Sequence, residues 1–102
     1  MTERLPDPQA AERWCAEWRA AGRSLGFVPT MGALHEGHLS LVRAARAQCQ
    51  AVCVSVFVNP LQFDDPRDFE LYPRDLEADA ALLAGAGCDM VFSGTLAQFF
   101  PG

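Results

Sequence analysis

The 102-residue chain has no lysine: all eight of its positive side chains are arginines, against thirteen acidic ones, for a formal net charge of −5. Nucleic acid is held chiefly by positive side chains on its phosphates, so an acidic chain without a basic stripe is not expected to bind it. A nucleotide phosphate would likewise have to be met by something other than a lysine. Both glycine loops that commonly cradle phosphates, Gly-x-Gly-x-x-Gly and Gly-x-x-x-x-Gly-Lys-Ser/Thr, are also missing. The longest strongly apolar run, residues 51–58, is far short of the roughly 20 residues that span a bilayer, which excludes a membrane helix there. Residues 1–7 show no basic end followed by an apolar stretch, so no secretory signal is expected and a cytoplasmic, reducing location is. Cys15, Cys49, Cys53 and Cys88 lie in apolar segments at spacings unlike the Cys-x-x-Cys pairs of zinc sites. They are expected to be buried thiols, and no metal ligand set is assigned.

What remains fits one domain with a single core, removing roughly 60–70% of the unfolded chain's surface from water. Asp7 and Pro8 predict a helix start, the first as N-cap and the second at the first helical position. That helix should reach about Ala21, with Ala11, Trp14, Cys15, Trp18 and Ala21 as its packing stripe and Gly22 as a C-terminal cap. Residues 25–28 read as a short strand ended by Pro29. Residues 37–48 read as a helix with Leu41, Val42, Ala45 and Cys49 on its apolar stripe. Residues 51–58 form a continuous apolar run, as in a strand covered on both faces. The connection over 59–73 carries three prolines and the acids Asp64, Asp65, Asp68 and Glu70, expected to face water. A helix with Leu76, Ala80, Leu83 and Gly87 on one face and a third strand over 89–92 follow, and Phe99 and Phe100 should pack a little. The expected fold is α/β: half of a Rossmann-like, doubly wound parallel sheet of about three strands, with helices on its faces.

In such sheets ligands sit outside the carboxyl ends of the strands. The turn after the first strand carries Met31, His35 and His38, and the turn after the second carries Asn59 and Gln62, so two separate motifs converge on one cleft. Carried backward, the apolar stripe of the second helix lands on His38 and then His35. Both imidazoles are therefore expected in its first turn, where free backbone N–H groups and the helix dipole favour an anion such as a phosphate. Gly37 between them would let a ligand approach the backbone. A single histidine is a poor site marker, but a pair flanking a glycine at a helix start after a strand points to phosphate binding and charge stabilisation. Gln62 can both donate and accept, which suits a small hydroxy acid with a carboxylate.

Three ordered motifs then carry a resemblance: Pro29, Thr30, Met31, Gly32, Ala33, Leu34, His35, Glu36, Gly37, His38; next Val58, Asn59, Pro60, Leu61, Gln62, Phe63; and last Tyr72, Pro73, Arg74. The first contains the His-x-Gly-His signature of adenylate-transferring nucleotidyltransferases, and together the three resemble the pantoate–β-alanine ligase family. The resemblance implies that ATP meets residues 29–38 and that His38 and His35 are catalytic, His38 as proton donor. Gln62 and Asn59 would hold pantoate near the β-alanine position, and Phe63 would border that pocket. It also implies ATP-dependent ligation through a pantoyl adenylate, magnesium on the departing pyrophosphate, and a homodimer. The family continues through further strands, a Gly-Lys-Asp segment and a small covering domain, so residues 1–102 are expected to be the amino-terminal part of the nucleotide-binding domain. Alone they are expected to be catalytically silent and to self-associate. Two other readings stay open: another His-x-Gly-His nucleotidyltransferase, or a non-catalytic nucleotide-binding or dimerisation module.

Overall fold

A computed structural model describes residues 2–5, 7–59, 64–72 and 74–94. Strands β1 (Glu3–Leu5), β2 (Leu25–Thr30), β3 (Ala51–Val56) and β4 (Met90–Phe92) form one sheet in the order β1-β4-β3-β2, and every pairing is parallel. Helices α1 (Pro8–Ala20), α2 (Glu36–Gln48), α3 (Pro66–Leu71) and α4 (Leu76–Ala86) connect them. The chain crosses the sheet one way from β1 to β2 and steps back the other way through β3 to β4. A constant hand of crossover then puts α1 on one face and α2 with α4 on the other, and the two core clusters follow that division.

The larger cluster joins Leu39 and Val42 of α2 and Ala80, Leu83 and Ala86 of α4 to Val28, Val52, Val54 and Val91 of the sheet. Leu83, Val42, Val52, Val54 and Val91 are fully buried, and each such side chain stabilises the fold by roughly 1.5–3 kcal/mol relative to exposure. On the other face Ala11, Cys53, Met90 and Phe92 are buried, with Leu5, Trp14 and Cys15 packed against them. β3 is thus covered on both sides, as its unbroken apolar run predicts. Trp14 and Trp18 pack with ring centroids 5.3 Å apart at a tilt of 36°, and the Arg23 guanidinium lies over Trp18, so both indoles are used in packing.

Several expectations change. The sheet has four described strands rather than three, because Glu3, Arg4 and Leu5 add to the β4 edge; Glu3 N–H donates to the Asp89 carbonyl at 2.9 Å and Thr2 Oγ1 to the Cys88 carbonyl at 2.7 Å. A three-residue strand without apolar alternation exists only by that pairing, so no local pattern announces it. β2 runs on through Pro29 to Thr30, which an edge strand tolerates because only one neighbour uses its backbone. In α2 the buried positions are Leu39 and Val42, while Leu41 is 58% exposed, so the stripe is rotated from the expected one. A short helix, α3, interrupts the long connection. Among the cysteines, Cys53 and Cys88 are buried but Cys15 and Cys49 only half-buried. Burial first, and then the neighbouring Cys15, push the Cys53 thiol from 9.0 up to about 12. Burial pushes Cys88 up to about 11, so both stay protonated thiols. The Phe99, Phe100 tail lies outside the described residues.

Candidate active site

The site begins where β2 ends. Thr30 Oγ1 donates to the Ser55 carbonyl at 2.9 Å and accepts from Gly32 N–H at 3.2 Å, which ties the start of the turn to β3. Gly32 has φ +81° and Ala33 φ +50°. The first value is where glycine belongs; at the second an alanine is strained by about 1–2 kcal/mol. A Cβ on Gly32 would also stand 3.1 Å from Asp79 Oδ2 and 3.1 Å from Val56 Cγ1. With this backbone, consecutive N–H groups face one carboxylate. Ala33 N–H donates to Asp79 Oδ2 at 3.2 Å and Leu34 N–H to Asp79 Oδ1 at 3.1 Å, from an aspartate only 5% exposed on α4.

The two imidazoles come next. His35 stands just outside α2 as its N-cap and His38 is the third helical residue, so they meet through a cap rather than along a helical stripe. His35 Nδ1 accepts from Gly37 N–H at 3.0 Å, and His38 Nδ1 accepts from His35 N–H at 3.2 Å. The rings lie 4.2 Å apart, tilted by 47°. A Cβ on Gly37 would fall 2.8 Å from His35 Cε1; the space that glycine leaves is taken by the His35 ring, not held for a ligand. Since each Nδ1 is an acceptor, each neutral ring carries its proton on Nε2, an assignment that follows from the hydrogen-bond pattern. Partial burial, and next the His35 ring, hold the His38 pKa below its ordinary 6.5, while the Asp79 carboxylate pulls it upward.

Beside His38 opens a cavity of about 570 Å³. Thr30, Met31 and His38 line it from the first turn, Ser55, Phe57 and Asn59 from the end of β3, and Tyr72 from just after α3, with Phe27 and Pro29 of β2 below. The expected convergence of the two turns therefore holds for Met31, His38 and Asn59. Of the other residues in the expected ATP stretch, Pro29 and Thr30 line the cavity, Gly32 is buried and Leu34 packs against the core. Ala33, Glu36 and Gly37 are exposed, and Glu36 pairs with Arg43 along α2. His35 touches the site through the His38 ring. Gln62 and Phe63 lie outside the described residues.

Asp79 was missed by pattern reading, and so were Ser55 and Phe57 as lining residues. A signal for Asp79 was present: it sits on the stripe formed by Ala80, Leu83 and Ala86, and an acid on the buried face of a helix requires partners.

In sequence and fold the chain is similar to known proteins. A pantothenate synthetase of Rubrobacter xylanophilus is 55% identical over 98 residues, which cover 96% of this chain and 34% of the relative. One from Cereibacter sphaeroides is 57% identical over 86 residues, covering 84% and 31%. The solved pantothenate synthetase of Thermus thermophilus superposes with a TM-score of 0.77 at 46% identity, covering 98% of this chain and 34% of that one. A pantoate-beta-alanine ligase from Francisella tularensis, complexed with beta-gamma ATP and beta-alanine, gives 0.83 at 34% identity, covering 99% and 38%. The chain spans about a third of the length of the curated relatives it matches. With its sheet, its histidine turn and a match over residues 4–101 to the model of pantoate-beta-alanine ligase, the chain belongs to that family.

Proposed function

We propose that this chain is the amino-terminal part of the nucleotide-binding domain of a pantothenate synthetase, and that its cavity takes ATP and pantoate. The observation that carries the reading is the pair of Nδ1-anchored imidazoles at the start of α2, with His38 at a cavity bordered by Asn59 from the next strand. Neutral rings with Nε2–H are donors without a positive charge, suited to phosphate oxygens as negative charge shifts during attack.

In the first step a pantoate carboxylate oxygen bonds to the α-phosphorus of ATP, the bond to the bridging oxygen breaks, and pyrophosphate leaves. The β-alanine amine then attacks the acyl carbon, loses a proton and expels AMP, forming the amide. His38 and His35 stabilise the phosphate oxygens in the first step, with His38 donating its Nε2 proton as a hydrogen bond. The backbone of residues 29–38 sets the nucleotide's position, while Asn59 and Gln62 hold the pantoate and Phe63 borders its pocket. Among the described residues no group of three or more histidine, cysteine, aspartate or glutamate side chains could hold a metal ion. Magnesium, where the reaction uses it, would come in on the nucleotide's phosphates with its waters and neutralise the departing pyrophosphate.

No helix among the described residues is long and apolar enough to cross a membrane, and a cytoplasmic homodimer is the assembly we infer. The edge of β2 has no described neighbour beyond β3, so the isolated 102 residues should be silent in turnover and associate; a clean monomer by light scattering at high concentration would speak against that edge. The decisive measurement for the function is ATP-dependent release of AMP by the full-length chain. It should require both pantoate and β-alanine, and release that needs neither sinks the reading.

A further inference from the structure

We propose that Asp79 is a positioning residue of the nucleotide site: its buried carboxylate, gripping the backbone N–H groups of Ala33 and Leu34, sets the turn that aims the two imidazoles. This rests on the ligase reading above and adds a residue of α4 to it. Asp79 is 5% exposed, and each of its oxygens accepts one of those N–H groups, at 3.2 and 3.1 Å. Positive φ at Gly32 and Ala33 turns the two consecutive N–H groups toward one point, a concavity suited to an anion. Here the anion is supplied from within the fold.

The consequence propagates along the backbone. Leu34 N–H is fixed by Asp79, the next N–H, that of His35, donates to His38 Nδ1, and His38 borders the cavity. The His38 ring is therefore referenced to α4 as well as to its own helix. Gly32 is part of the same device, since a Cβ there would press on Asp79 Oδ2.

Asp79→Asn in the full-length chain tests this, because the amide has the same shape but turns an NH₂ toward one of the two N–H donors. We expect a folded variant whose kcat/KM for ATP falls by about 100-fold, the usual effect of misplacing catalytic groups by an ångström. The KM for ATP should rise while the KM for β-alanine stays within about threefold. A merely structural defect would lower kcat in proportion to the folded fraction and leave every KM unchanged. That result, or a folded variant within threefold of wild type in kcat/KM for ATP, overturns the proposal. Should Asp79→Asn not fold, Gly32→Ala, which displaces the carboxylate without removing its charge, must produce the same selective rise in the KM for ATP, and its absence counts equally against the idea. If the wild-type chain shows no turnover, the ligase reading fails by itself. Asp79 is then judged by the amide proton resonances of Ala33 and Leu34, which must move upfield in Asp79→Asn while those of α1 stay; unmoved resonances refute it.

Discussion

All four described helices begin with a side-chain cap, and one differs from the other three: even the short α3 has an aspartate, Asp65, whose Oδ1 accepts from Arg67 N–H at 2.9 Å. α1 starts with Asp7, whose carboxylate accepts from Ala10 N–H at 2.7 Å, and α4 with Asp75, which accepts from Ala78 N–H at 3.0 Å. Aspartate is among the best N-caps, contributing about 1 kcal/mol over alanine. α2 instead starts with His35, and its cap is a reciprocal pair of imidazole nitrogens. Imidazole is not a preferred cap. Where a helix start has only to hold the helix, the chain uses aspartate; at α2 it uses two rings that cap with one nitrogen each and leave the other free to donate. On the function proposed above, the aspartate caps of α1, α3 and α4 serve stability alone, while the histidine cap of α2 serves binding as well.

The sharpest way to break the contrast is His38→Ala in the full-length chain. Removing one positioned acid or charge stabiliser typically costs about 100- to 10,000-fold in rate, with folding preserved. Steady-state turnover within tenfold of wild type would place the chemistry elsewhere. Next in size, Gln62→Ala should weaken pantoate by about tenfold or more, as expected for losing a hydrogen bond to a charged group, and leave ATP nearly unchanged. Calorimetric titration of each ligand decides this, and a larger loss for ATP would assign the loop after β3 to the nucleotide.

A paired experiment then compares the caps directly. His35→Ser supplies a preferred cap, so thermal stability should hold or rise by up to about 1 kcal/mol while turnover drops by at least about tenfold. Asp7→Ala should do the reverse, costing about 1 kcal/mol with turnover intact. If both variants lose only stability, the two caps are equivalent and the distinction disappears. The smallest effect is in acid. His38 binds its proton more weakly folded than unfolded, so as pH falls through 6.5 the unfolded chain takes up the proton first and this group turns against folding. A histidine Cε1–H titration by NMR should give His38 a midpoint below 6.5, and a midpoint above it would mean that the Asp79 carboxylate outweighs burial and His35.

The elements carried by local signals were legible in the sequence. Asp7 with Pro8 announces α1 and the unbroken apolar run announces β3, whereas Gly87, expected on the face of the last helix, lies beyond α4 as its left-handed C-cap with φ +92°. His38, Met31 and Asn59 were placed correctly at one cleft, because strand ends and the turns after them follow from the alternation of elements. β1 was not legible, since three residues beside β4 have no pattern of their own. The role of Gly37 was misread because the collision it avoids is with a neighbouring side chain's rotamer, not with anything written in the sequence. Asp79 was overlooked because its partners are 45 and 46 residues away.

By itself, then, the sequence determined that the chain alternates strands and helices, that two histidines stand at a helix start after a strand, and that none of these 102 residues is a lysine. Those facts depend on periodicity, capping and composition, which act within a few residues. Only the tertiary structure decided that the two rings would be anchored through Nδ1, that β1 would extend the sheet, and that an aspartate of α4 would hold the turn. Each of those depends on a hydrogen bond whose donor direction is set by backbone dihedrals and by packing between distant segments, and neither quantity is fixed until the core has closed.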